Sequence, residues 1–462
     1  MTAAISCGSA ATAQAGAEVL RAGGNAVDAV IAAAFASTVA EPGVSSLGGG
    51  GFLLVRQASG ACVLLDFFTS VPSGPRGPVE TVTVRYAGTT QDFHVGPQTV
   101  AVPGCLDGFL GAHARWGGLP LSDVVAPAAD YARQGVVLDA GAGHAMELIA
   151  PVLLLTPQIR ARMAPDGHLL RAGETLVDAE LAETLVAIGA GRLRGQDLTY
   201  ADPVTPADAQ SYTVMEREPL NVPIRGGRLL TNPLPSLGGS IVAHVLGDLA
   251  GESHPAPVAL AEALVETTDW LKAQVTGTVS TTGTTHISVI DTDGLCAALT
   301  LSNGLGSGVV LPGTGIHLNN MMGEDDLHPG GAAAAVPGER IRSMMAPSLV
   351  EFDDGLVALG SGGSARIRSA MARVITLLTG HDADLARAIE APRIHVDEAG
   401  VVQVEPGLAA SALAALAEFA PVNEWPERHF YFGGVNAVQL LPGGEVRAHA
   451  DPRRGGACRL VD

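Results

Sequence analysis

Small apolar residues recur at helical spacing near the start of the chain and predict two consecutive helices. The first helix is expected over residues 10–22, because Gly23 and Gly24 follow and glycine readily leaves the helical conformation. Asn25 can cap the second helix, which the sequence Glu41-Pro42-Gly43 is expected to end. Two helices are therefore expected to open the chain.

Two short apolar runs after the glycines at 48–51 predict a pair of buried strands. The runs are FLLVR and, after a short gap, ACVLLDFF, and both have the length and the flanking turn residues of strands. Helical patterns then dominate from Leu106 to about Gly189, where Ser122 and Asp123 supply a helix start. This middle region is expected to form a layer of helices.

The pattern changes abruptly after residue 274. The helical sequence ALAEALVETTDWLKAQ ends in the polar segment VTGTVSTTG, and an alternating strand at 284–291 follows directly. The turn sequence DTDG and the apolar run LCAALTL after it predict a β-hairpin. Further strands at 347–352 and 356–359 lead to the turn Ser361-Gly-Gly-Ser364 and a helix at 365–378. Tandem strands with blocks of helices favour a layered α+β sandwich over regular βαβ alternation.

The charge balance excludes whole classes of partner. The 462 residues carry 27 Lys+Arg against 47 Asp+Glu, a formal net charge of −20, and Lys272 is the only lysine. No basic run can follow a phosphate backbone or an anionic lipid surface, so nucleic acid is not an expected partner. The hydrophobic fraction of 47% is enough for a large core, while the length leaves the number of domains open.

The sequence shows no pattern for export or membrane insertion. The N-terminus lacks a basic region followed by an apolar stretch, and the most apolar run, residues 29–40, is shorter than the ~20 residues that span a bilayer. The five cysteines are scattered without CxxC spacing and the histidines show no ligand spacing, so no disulfide framework, metal site or cofactor is predicted. We expect a cytoplasmic chain without a membrane segment.

The segment Gly283-Thr284-Thr285-His286 joins a polar loop to a predicted buried strand, a position that suits an N-terminal nucleophile. If the chain is cut before Thr284, one residue holds both a hydroxyl nucleophile and an α-amine, whose usual pKa of about 7.7 to 8.0 suits a base. Gly283 leaves room for the distorted peptide that self-cleavage requires. An ordinary threonine-rich strand is the alternative, and this segment on its own favours it.

Longer motifs along nearly the whole chain change that balance. In chain order they are GGNAVDAVIAAAF, EPGVSSLGGGGFLLV, VAVPGCLDGFLGAHARWGGLPLSDVVAPAADYARQGV, MEREPL, TTHISVID, GSGVVLPGTGIHLNN and SMMAPSLV. They resemble successive signatures of the γ-glutamyltransferase family. The resemblance implies an α+β fold, the four-layer αββα sandwich of N-terminal nucleophile hydrolases. It also implies a precursor cut into a large subunit, residues 1–283, and a small subunit, residues 284–462, within one intertwined structural domain.

Carried over position by position, the resemblance assigns the residues of a nucleophilic site. Thr284 matches the family's nucleophile, the bond between Gly283 and Thr284 is the implied cleavage site, and Thr285 would support the new amine. Ser302 matches a hydroxyl residue that contacts the nucleophile, and Asn303 is expected to contact the amino-acid end of the substrate. Together they imply catalysis through an acyl-threonine intermediate.

A pair of glycines completes the implied catalytic set. Gly362 and Gly363 match family glycines whose backbone N–H groups form the oxyanion hole. Glycine lets the main chain approach a tetrahedral intermediate closely, so the assignment is physically sound. A plain strand-to-helix turn is the alternative, and both interpretations can hold. His286, two residues after the nucleophile on the same strand face, is expected to pack or orient rather than to react.

The chain departs from the family pattern where a substrate carboxylate would be held. Phe68 stands where the family has an arginine, and a phenyl ring cannot replace a bidentate guanidinium contact. Ser343 keeps the first of two family serines, while Met344 replaces the second. The acidic residue expected to receive the substrate ammonium lies within residues 324–326, among which Glu324 is preferred.

These departures favour an acyl pocket for an uncharged or a dicarboxylic acyl group, because an unpaired buried charge is costly. The short connection from Asn320 to Met345 indicates that a lid is missing, so hydrolysis is expected to outweigh transfer to an acceptor amine. The expected function is that of a self-processing amidohydrolase acting on a small-molecule amide. Whether two processed chains pair as a dimer of heterodimers stays open.

Two alternatives remain from the sequence alone. One is a true γ-glutamyl transpeptidase for glutathione-like substrates, which would hold the carboxylate through Arg76, Arg85 or Arg342. The other is a non-catalytic homologue in which the uncut chain serves as a binding module.

Overall fold

Helices and strands occur in blocks in the computed structural model, which describes residues 2–86, 89–198, 202–252, 255–274, 283–324, 327–328, 331–353, 355–380 and 384–462. Within these ranges no helix is long and apolar enough to cross a bilayer. The helices are α1 (Ala10–Arg21), α2 (Ala26–Ala40), α3 (Cys105–Trp116), α4 (Leu121–Gln134), α5 (Ala140–Leu148), α6 (Ala150–Leu153), α7 (Pro157–Met163), α8 (Ala179–Gly189), α9 (Pro206–Ser211), α10 (Leu237–Asp248), α11 (Pro257–Gln274), α12 (Arg366–Thr379), α13 (Leu385–Glu390) and α14 (Ala410–Phe419).

The strands are shorter than most of the helices and are spread over the whole chain. They are β1 (Ala3–Cys7), β2 (Gly50–Arg56), β3 (Cys62–Phe67), β4 (Glu80–Tyr86), β5 (Thr89–Val95), β6 (Val136–Val137), β7 (Thr175–Leu176), β8 (Met215–Arg217), β9 (Leu220–Ile224), β10 (Gly227–Thr231), β11 (Thr284–Ile290), β12 (Cys296–Ser302), β13 (Ser348–Phe352), β14 (Gly355–Gly362), β15 (Ile394–Val396), β16 (Val402–Val404), β17 (Val422–Glu424), β18 (Gly434–Leu440), β19 (Val446–His449) and β20 (Ala457–Val461).

Two antiparallel sheets lie face to face at the centre of the molecule. One has the strand order β20-β1-β11-β12-β2-β3-β8 and the other has the order β19-β18-β14-β13-β10-β9. Side chains of β11 alternate between two environments, as a strand requires. Ile287 and Val289 lie in the core beneath α2, whereas the ring of His286 packs on Gly360 in β14 and the Ser288 hydroxyl donates to the Asn436 carbonyl in β18.

Helices cover the outer face of each sheet. Helices α1 and α2, with α4 and α8 behind them, form a hydrophobic core with the first sheet. Helices α10, α12 and α13 pack on the second sheet, and a second core fills the space on both sides of that sheet. The order helix, sheet, sheet, helix is the four-layer αββα sandwich, so the predicted α+β fold is confirmed.

Helix α2 begins and ends where the sequence predicts. The Asn25 side chain accepts hydrogen bonds from the N–H groups of Val27 and Asp28, and Asp28 accepts one from the N–H of Asn25, which completes a capping box. The helix ends at Ala40, and its C-cap residue is Glu41. This ending leaves Glu41 buried between the helical layer and the end of the first sheet.

The predicted hairpin that follows residue 283 is also present. Asp291 Oδ1 accepts hydrogen bonds from the N–H groups of Asp293 and Leu295, which holds the turn between β11 and β12. The antiparallel register then pairs Thr284 at the start of β11 with Ser302 at the end of β12. The hairpin thus sets these two hydroxyl side chains next to each other.

Candidate active site

Thr284 lies at the start of a central strand with its hydroxyl beside a second hydroxyl. The Oγ1 atom of Thr284 donates to Oγ of Ser302 at 3.4 Å, and Ser302 Oγ donates to the carbonyl oxygen of Gly283 at 2.6 Å. The N–H of Gly304 donates to Ser302 Oγ at 3.1 Å and fixes that side chain. Ser302 therefore connects the Thr284 hydroxyl to the carbonyl group of the preceding peptide bond.

The turn at Gly362 and Gly363 approaches Thr284 more closely than any other residue type would permit. A Cβ atom on Gly362 would lie 2.1 Å from the carbonyl oxygen of Thr284. Gly363 follows with φ +129°, and Ser364 has φ 61°, the only positive φ of a non-glycine residue in the described chain. The strand therefore leaves the sheet in a sharp turn beside Thr284.

Glu41 is a buried acid that lines the same cleft as Thr284, and the sequence analysis did not identify it as a site residue. A Cβ atom on Gly8 would lie 2.6 Å from Oγ1 of Thr285 and 2.7 Å from Oε2 of Glu41, so the two side chains adjoin. The Thr12 hydroxyl donates to Oε1 of Glu41 at 2.6 Å. Burial raises the pKa of Glu41 to about 7, against the lowering effect of the Thr12 and Thr285 hydroxyls. The sequence predicts that Glu41 ends a helix, but it does not predict that the Glu41 carboxyl group lines the cleft.

His286 lines the same region but has no free ring nitrogen. Its Nδ1 pairs with Oγ1 of Thr300 and its Nε2 pairs with Oγ of Ser288, each at 2.8 Å. Burial lowers the pKa of His286 to about 3. A neutral ring held by two hydroxyls orients its neighbours and cannot act as a base near neutral pH, which agrees with the expected packing role.

A cleft of about 400 Å³ opens beside these groups. It lies at one end of the stacked sheets, between the helical layer and the C-terminal segment. It is lined by Gly8, Glu41, Val44, Gly141, Ala142, Ala145, Thr284, Thr285, His286, Gly362, Phe430, Gly434, Asn436 and Arg454. The cleft thus brings Thr284, Thr285 and Gly362 together, whereas several of its other residues come from distant parts of the sequence.

Arg454 is the second cleft residue that the sequence analysis missed. Its guanidinium carbon lies 3.8 Å from the centre of the Phe430 ring, and its Nε donates to the Phe430 carbonyl at 3.2 Å. The neighbouring Arg453 points into the protein instead, where it pairs with Glu405 at 2.6 Å and with Asp451 at 3.2 Å. Nothing in the sequence indicates that the side chains of these two consecutive arginines point in different directions.

Asn303 and Glu324, the two residues predicted to bind the amino-acid end of the substrate, lie close to Ser302 and Gly304. Asn303 is fully buried, and neither atom of its side-chain amide has a hydrogen-bond partner among the described residues. The carboxylate of Glu324 is also buried, and a Cβ atom on Gly304 would lie 2.5 Å from it. Asp325 and Asp326, the other acidic candidates, lie outside the described residues. The unpartnered amide of Asn303 is unusual, because buried polar groups are normally satisfied, and its contact with a substrate stays a prediction.

Phe68 and Ser343 do not reach the cleft. Phe68 stacks on Phe52 with ring centres 5.6 Å apart inside the core between the sheets. The Ser343 hydroxyl accepts a hydrogen bond from the N–H of Met345 at 3.0 Å. Both side chains are buried and contact other residues of the protein. Their contact with a substrate therefore stays a prediction.

The three arginines that the sequence offered as carboxylate partners also lie elsewhere. Arg76 donates to the Ala335 carbonyl at 3.4 Å, Arg85 is exposed on β4, and Arg342 is half-buried. None of them is among the described residues that line the cleft. Arg454 occupies the cleft instead.

Comparison with known proteins shows which family the chain belongs to. Residues 12–274 and 257–461 match the family model described as Gamma-glutamyltranspeptidase. The Acylase ACY 1 proenzyme of a Pseudomonas species is 32% identical over 97% of this chain and 90% of its own length. The Glutathione hydrolase proenzyme of Escherichia coli is 27% identical over 95% of this chain and 88% of its own length.

A solved structure supports the fold independently. Cephalosporin acylase from Bacillus halodurans superposes with a TM-score of 0.82 at 23% identity, covering 99% of this chain and 95% of that one. The match to the family model, the near-complete coverage of the relatives and this shared fold lead to one conclusion. The chain belongs to the gamma-glutamyltranspeptidase family and is an amidohydrolase with the N-terminal nucleophile fold.

Proposed function

We propose that this chain is a precursor that cuts itself before Thr284 and then hydrolyses a small-molecule amide through an acyl-Thr284 ester. The observation that carries the proposal is the connected set of Thr284 hydroxyl, Ser302 hydroxyl and Gly283 carbonyl. A structural threonine at the start of a strand would not need a hydroxyl neighbour that also binds the preceding carbonyl group.

The first step is an acyl shift within the chain. The Oγ atom of Thr284 attacks the carbonyl carbon of Gly283, and negative charge develops on the oxygen that Ser302 already contacts. The C–N bond then breaks, and the proton from the hydroxyl ends on the Thr284 nitrogen, which becomes an amine. Water hydrolyses the resulting ester and leaves a carboxylate on Gly283 and a free Thr284 hydroxyl. The products are a large subunit, residues 1–283, and a small subunit, residues 284–462.

The second step repeats this chemistry on a substrate. The new α-amine of Thr284 takes the hydroxyl proton while Oγ attacks the amide carbonyl, and the amine product leaves with that proton. The turn at Gly362 and Gly363 lies beside the reacting atoms and would supply N–H groups to the oxyanion. Thr285, next to the new amine, would help to hold it, and water would finally release the acid from the ester.

Two features favour water over an acceptor amine as the second reactant. The cleft beside Thr284 is open, and only a short segment joins Asn320 to Met345, where a covering loop would be placed. Rates of acid release and of transfer to a dipeptide, measured on one acyl amide at neutral pH, test this preference. Transfer faster than hydrolysis would contradict it.

A second candidate is a true γ-glutamyl enzyme, which the unpaired amide of Asn303 and the nearby carboxylate of Glu324 favour. Both groups suit the amino-acid end of a glutamyl substrate. Parallel assays with γ-glutamyl, glutaryl and simple acyl 4-nitroanilides separate the two candidates. Faster turnover of the γ-glutamyl compound would favour the true γ-glutamyl enzyme. Faster turnover of the glutaryl or simple acyl compounds would favour the amidohydrolase proposed first.

Self-cleavage is tested by gel mobility and N-terminal sequencing of the purified protein. The wild-type chain of 46.8 kDa is expected to give two fragments, the smaller beginning Thr-Thr-His. Thr284→Ala is expected to stay intact, and Thr284→Ser, which keeps a hydroxyl, is expected to cleave. A wild-type chain that remains uncut on long incubation would instead identify a non-catalytic binding module.

A further inference from the structure

A second cavity adjoins the cleft on the side of Gly283. It has a volume of about 340 Å³. The cleft and this cavity share four lining residues, Val44, Ala145, Phe430 and Arg454. Thr284 lines the cleft, whereas Gly283 lines the cavity. The bond between Gly283 and Thr284 therefore lies where the two spaces meet.

The uncut chain shows on which side of Thr284 the acyl group of a substrate lies. In the proposed self-cleavage Oγ of Thr284 attacks the carbonyl carbon of Gly283, so Gly283 is the acyl part of that bond. A substrate amide must present its own carbonyl carbon to the same oxygen atom, and its acyl group then takes the place of Gly283. The cavity beside Gly283 is therefore next to the acyl group.

Apolar side chains form most of the surface of this cavity. Of the described residues that line it, two are glycines and eight have side chains. Six of the eight are apolar: Val44, Ala145, Leu148, Ile149, Leu305 and Phe430. Leu305 is fully buried, and a Cβ atom on Gly43 would lie 2.0 Å from Cδ1 of Ile149. Such a surface favours a hydrocarbon ligand, because burying apolar area releases free energy.

The charged groups at the cavity do not suit an ammonium group. Its described lining includes Arg366 and Arg454 and no acidic side chain. Nε of Arg366 donates to the Tyr431 carbonyl at 3.1 Å, and its guanidinium carbon lies 4.7 Å from the centre of the Tyr431 ring. Arg454 makes the same two contacts with Phe430. An ammonium group here would meet two cations and no anion, and an unpaired buried charge is costly.

We infer that this cavity binds the acyl chain of the substrate, and that the enzyme prefers an uncharged aliphatic acyl group without a branch at C2. The inference rests on the proposed function and specifies its substrate class. The restriction at C2 follows from Gly283, because a Cβ atom there would lie 1.8 Å from the carbonyl oxygen of Gly304 and 2.7 Å from that of Gly43. The aliphatic preference follows from the apolar surface.

Three 4-nitroanilides of the same outline test the preference for an uncharged chain. The 5-methylhexanoyl group carries two methyl groups where glutaryl carries its carboxylate oxygens, and γ-glutamyl adds an amino group at C4. We expect kcat/KM of the wild-type enzyme to be about tenfold or more higher for the 5-methylhexanoyl compound. From acetyl through butyryl to hexanoyl, kcat/KM should rise about fourfold for each methylene. Faster turnover of the glutaryl or γ-glutamyl compound would overturn the inference.

The two enantiomers of 2-methylhexanoyl 4-nitroanilide test the restriction at C2. They have the same intrinsic reactivity, and only one of them places its methyl group in the direction of the Cβ atom that Gly283 lacks. We expect their kcat/KM values to differ by about tenfold or more, because the added carbon would overpack this position. Equal values would overturn the restriction at C2.

Two variants that change the size of the cavity test its contact with the chain. Ala145→Leu fills part of the cavity and is expected to lower kcat/KM about tenfold for hexanoyl and least for acetyl. Ile149→Ala enlarges the cavity and is expected to move the preferred length towards octanoyl. Ala140→Leu, at the exposed start of the same helix α5 as Ala145, is the control. Each dependence on chain length is a ratio within one preparation, so a misfolded fraction does not alter it. The same dependence in wild type and all variants would overturn the inference.

A binding measurement keeps the inference testable if none of the anilides is turned over. The acids 5-methylhexanoate, glutarate and acetate are titrated calorimetrically into the processed wild type and Ala145→Leu. We expect 5-methylhexanoate to bind wild type about tenfold more tightly than glutarate or acetate, and to lose this advantage in Ala145→Leu. Equal or tighter binding of glutarate would overturn the inference. An uncut wild-type chain on the gel would overturn the proposed function and the inference with it, whereas a cut enzyme with the reverse order of ligands would overturn the inference alone.

Discussion

The hydroxyl of Ser302 donates to the carbonyl oxygen of Gly283 at 2.6 Å, although 19 positions separate the two residues. Hairpin register alone produces this contact, because it pairs the end of β12 with the start of β11. The same hydroxyl accepts from Thr284. One serine thus contacts both partners of the proposed acyl shift before any bond has broken.

Ser302→Ala is expected to slow self-cleavage by about 100-fold, because it removes the donor to the oxygen that becomes negatively charged. Ser302→Thr, which keeps a hydroxyl, should retain most of the rate. The measurement is the decay of the 46.8 kDa precursor on a gel. Ser307→Ala is the matched control, since it removes a buried hydroxyl that donates to the Leu318 carbonyl outside the cleft. An unchanged rate in Ser302→Ala would refute the role given to this residue.

Gly362→Ala is expected to abolish cleavage and to lower the melting temperature, because the new Cβ atom would lie 2.1 Å from the Thr284 carbonyl oxygen. The comparison variant is Gly111→Ala in helix α3, where no atom lies within 4 Å of the added methyl group. That change should leave cleavage intact and add up to about 1 kcal/mol of stability. Cleavage at the wild-type rate in Gly362→Ala would show that the turn does not contact the reacting groups.

Glu41→Gln is expected to change the pH dependence of stability. Because burial raises the pKa of Glu41 from 4.5 to about 7, the wild type is favoured while this group is protonated and loses stability as the pH rises through that interval. Glutamine cannot ionise. The unfolding free energy of the variant relative to wild type should therefore increase between pH 4 and pH 8 by roughly 3 kcal/mol at most.

Urea titrations in the uncut Thr284→Ala background measure this difference on a single chain. Glu147→Gln, on the exposed side of helix α5, supplies the control for removal of one acid. A relative stability of Glu41→Gln that is independent of pH would mean that the Glu41 carboxyl does not titrate in this range.

Asn303→Ala and Asn319→Ala should separate a binding asparagine from a structural one. The amide of Asn319 makes four hydrogen bonds, to Gly48, Ala101 and Met321, so its removal should cost about 2 to 4 kcal/mol. Asn303 makes none with its side chain in the described chain, so its removal should cost less than about 1 kcal/mol. Asn303→Ala should instead raise KM for substrates with an amino-acid end by about tenfold.

Stability in this pair is compared by urea denaturation in the Thr284→Ala background, and KM is measured with the processed enzymes. A large loss of stability in Asn303→Ala, with KM unchanged, would reverse the assignment. Asn303 would then be a structural residue like Asn319.

Local signals were sufficient for the elements that carry Thr284. The cap at Asn25 and the turn at Asp291 depend on side chains that bond to their own backbone, so helix α2 and the β11–β12 hairpin could be predicted from the sequence. Strand β1 was missed, because AAISC has no alternation and is defined by its neighbours β11 and β20. The hairpin of β4 and β5 was missed as well.

The chemistry of the cleft was less accessible to sequence analysis. The sequence predicts Glu41 only as a helix end and gives no signal for Arg454, because each becomes part of the cleft only when segments hundreds of residues apart pack together. The motif predicts that Phe68 contacts the substrate, and this stays a prediction, while the packing of its ring on Phe52 could not be predicted from the motif. Motif matching locates a residue along the chain, but the environment of its side chain depends on tertiary packing.

The strand order of the larger sheet has a consequence for denaturation. In the strand order β20-β1-β11-β12-β2, strands β1 and β2 precede residue 283 and strands β20, β11 and β12 follow it, so the two parts of the chain are interleaved in one sheet. Once the bond before Thr284 is broken, thermal melting would release two polypeptides. Neither of them contains all the strands that the larger sheet needs. Renaturation would then require them to meet again in solution, so heat inactivation of the cut enzyme should be irreversible, whereas the Thr284→Ala chain can recover.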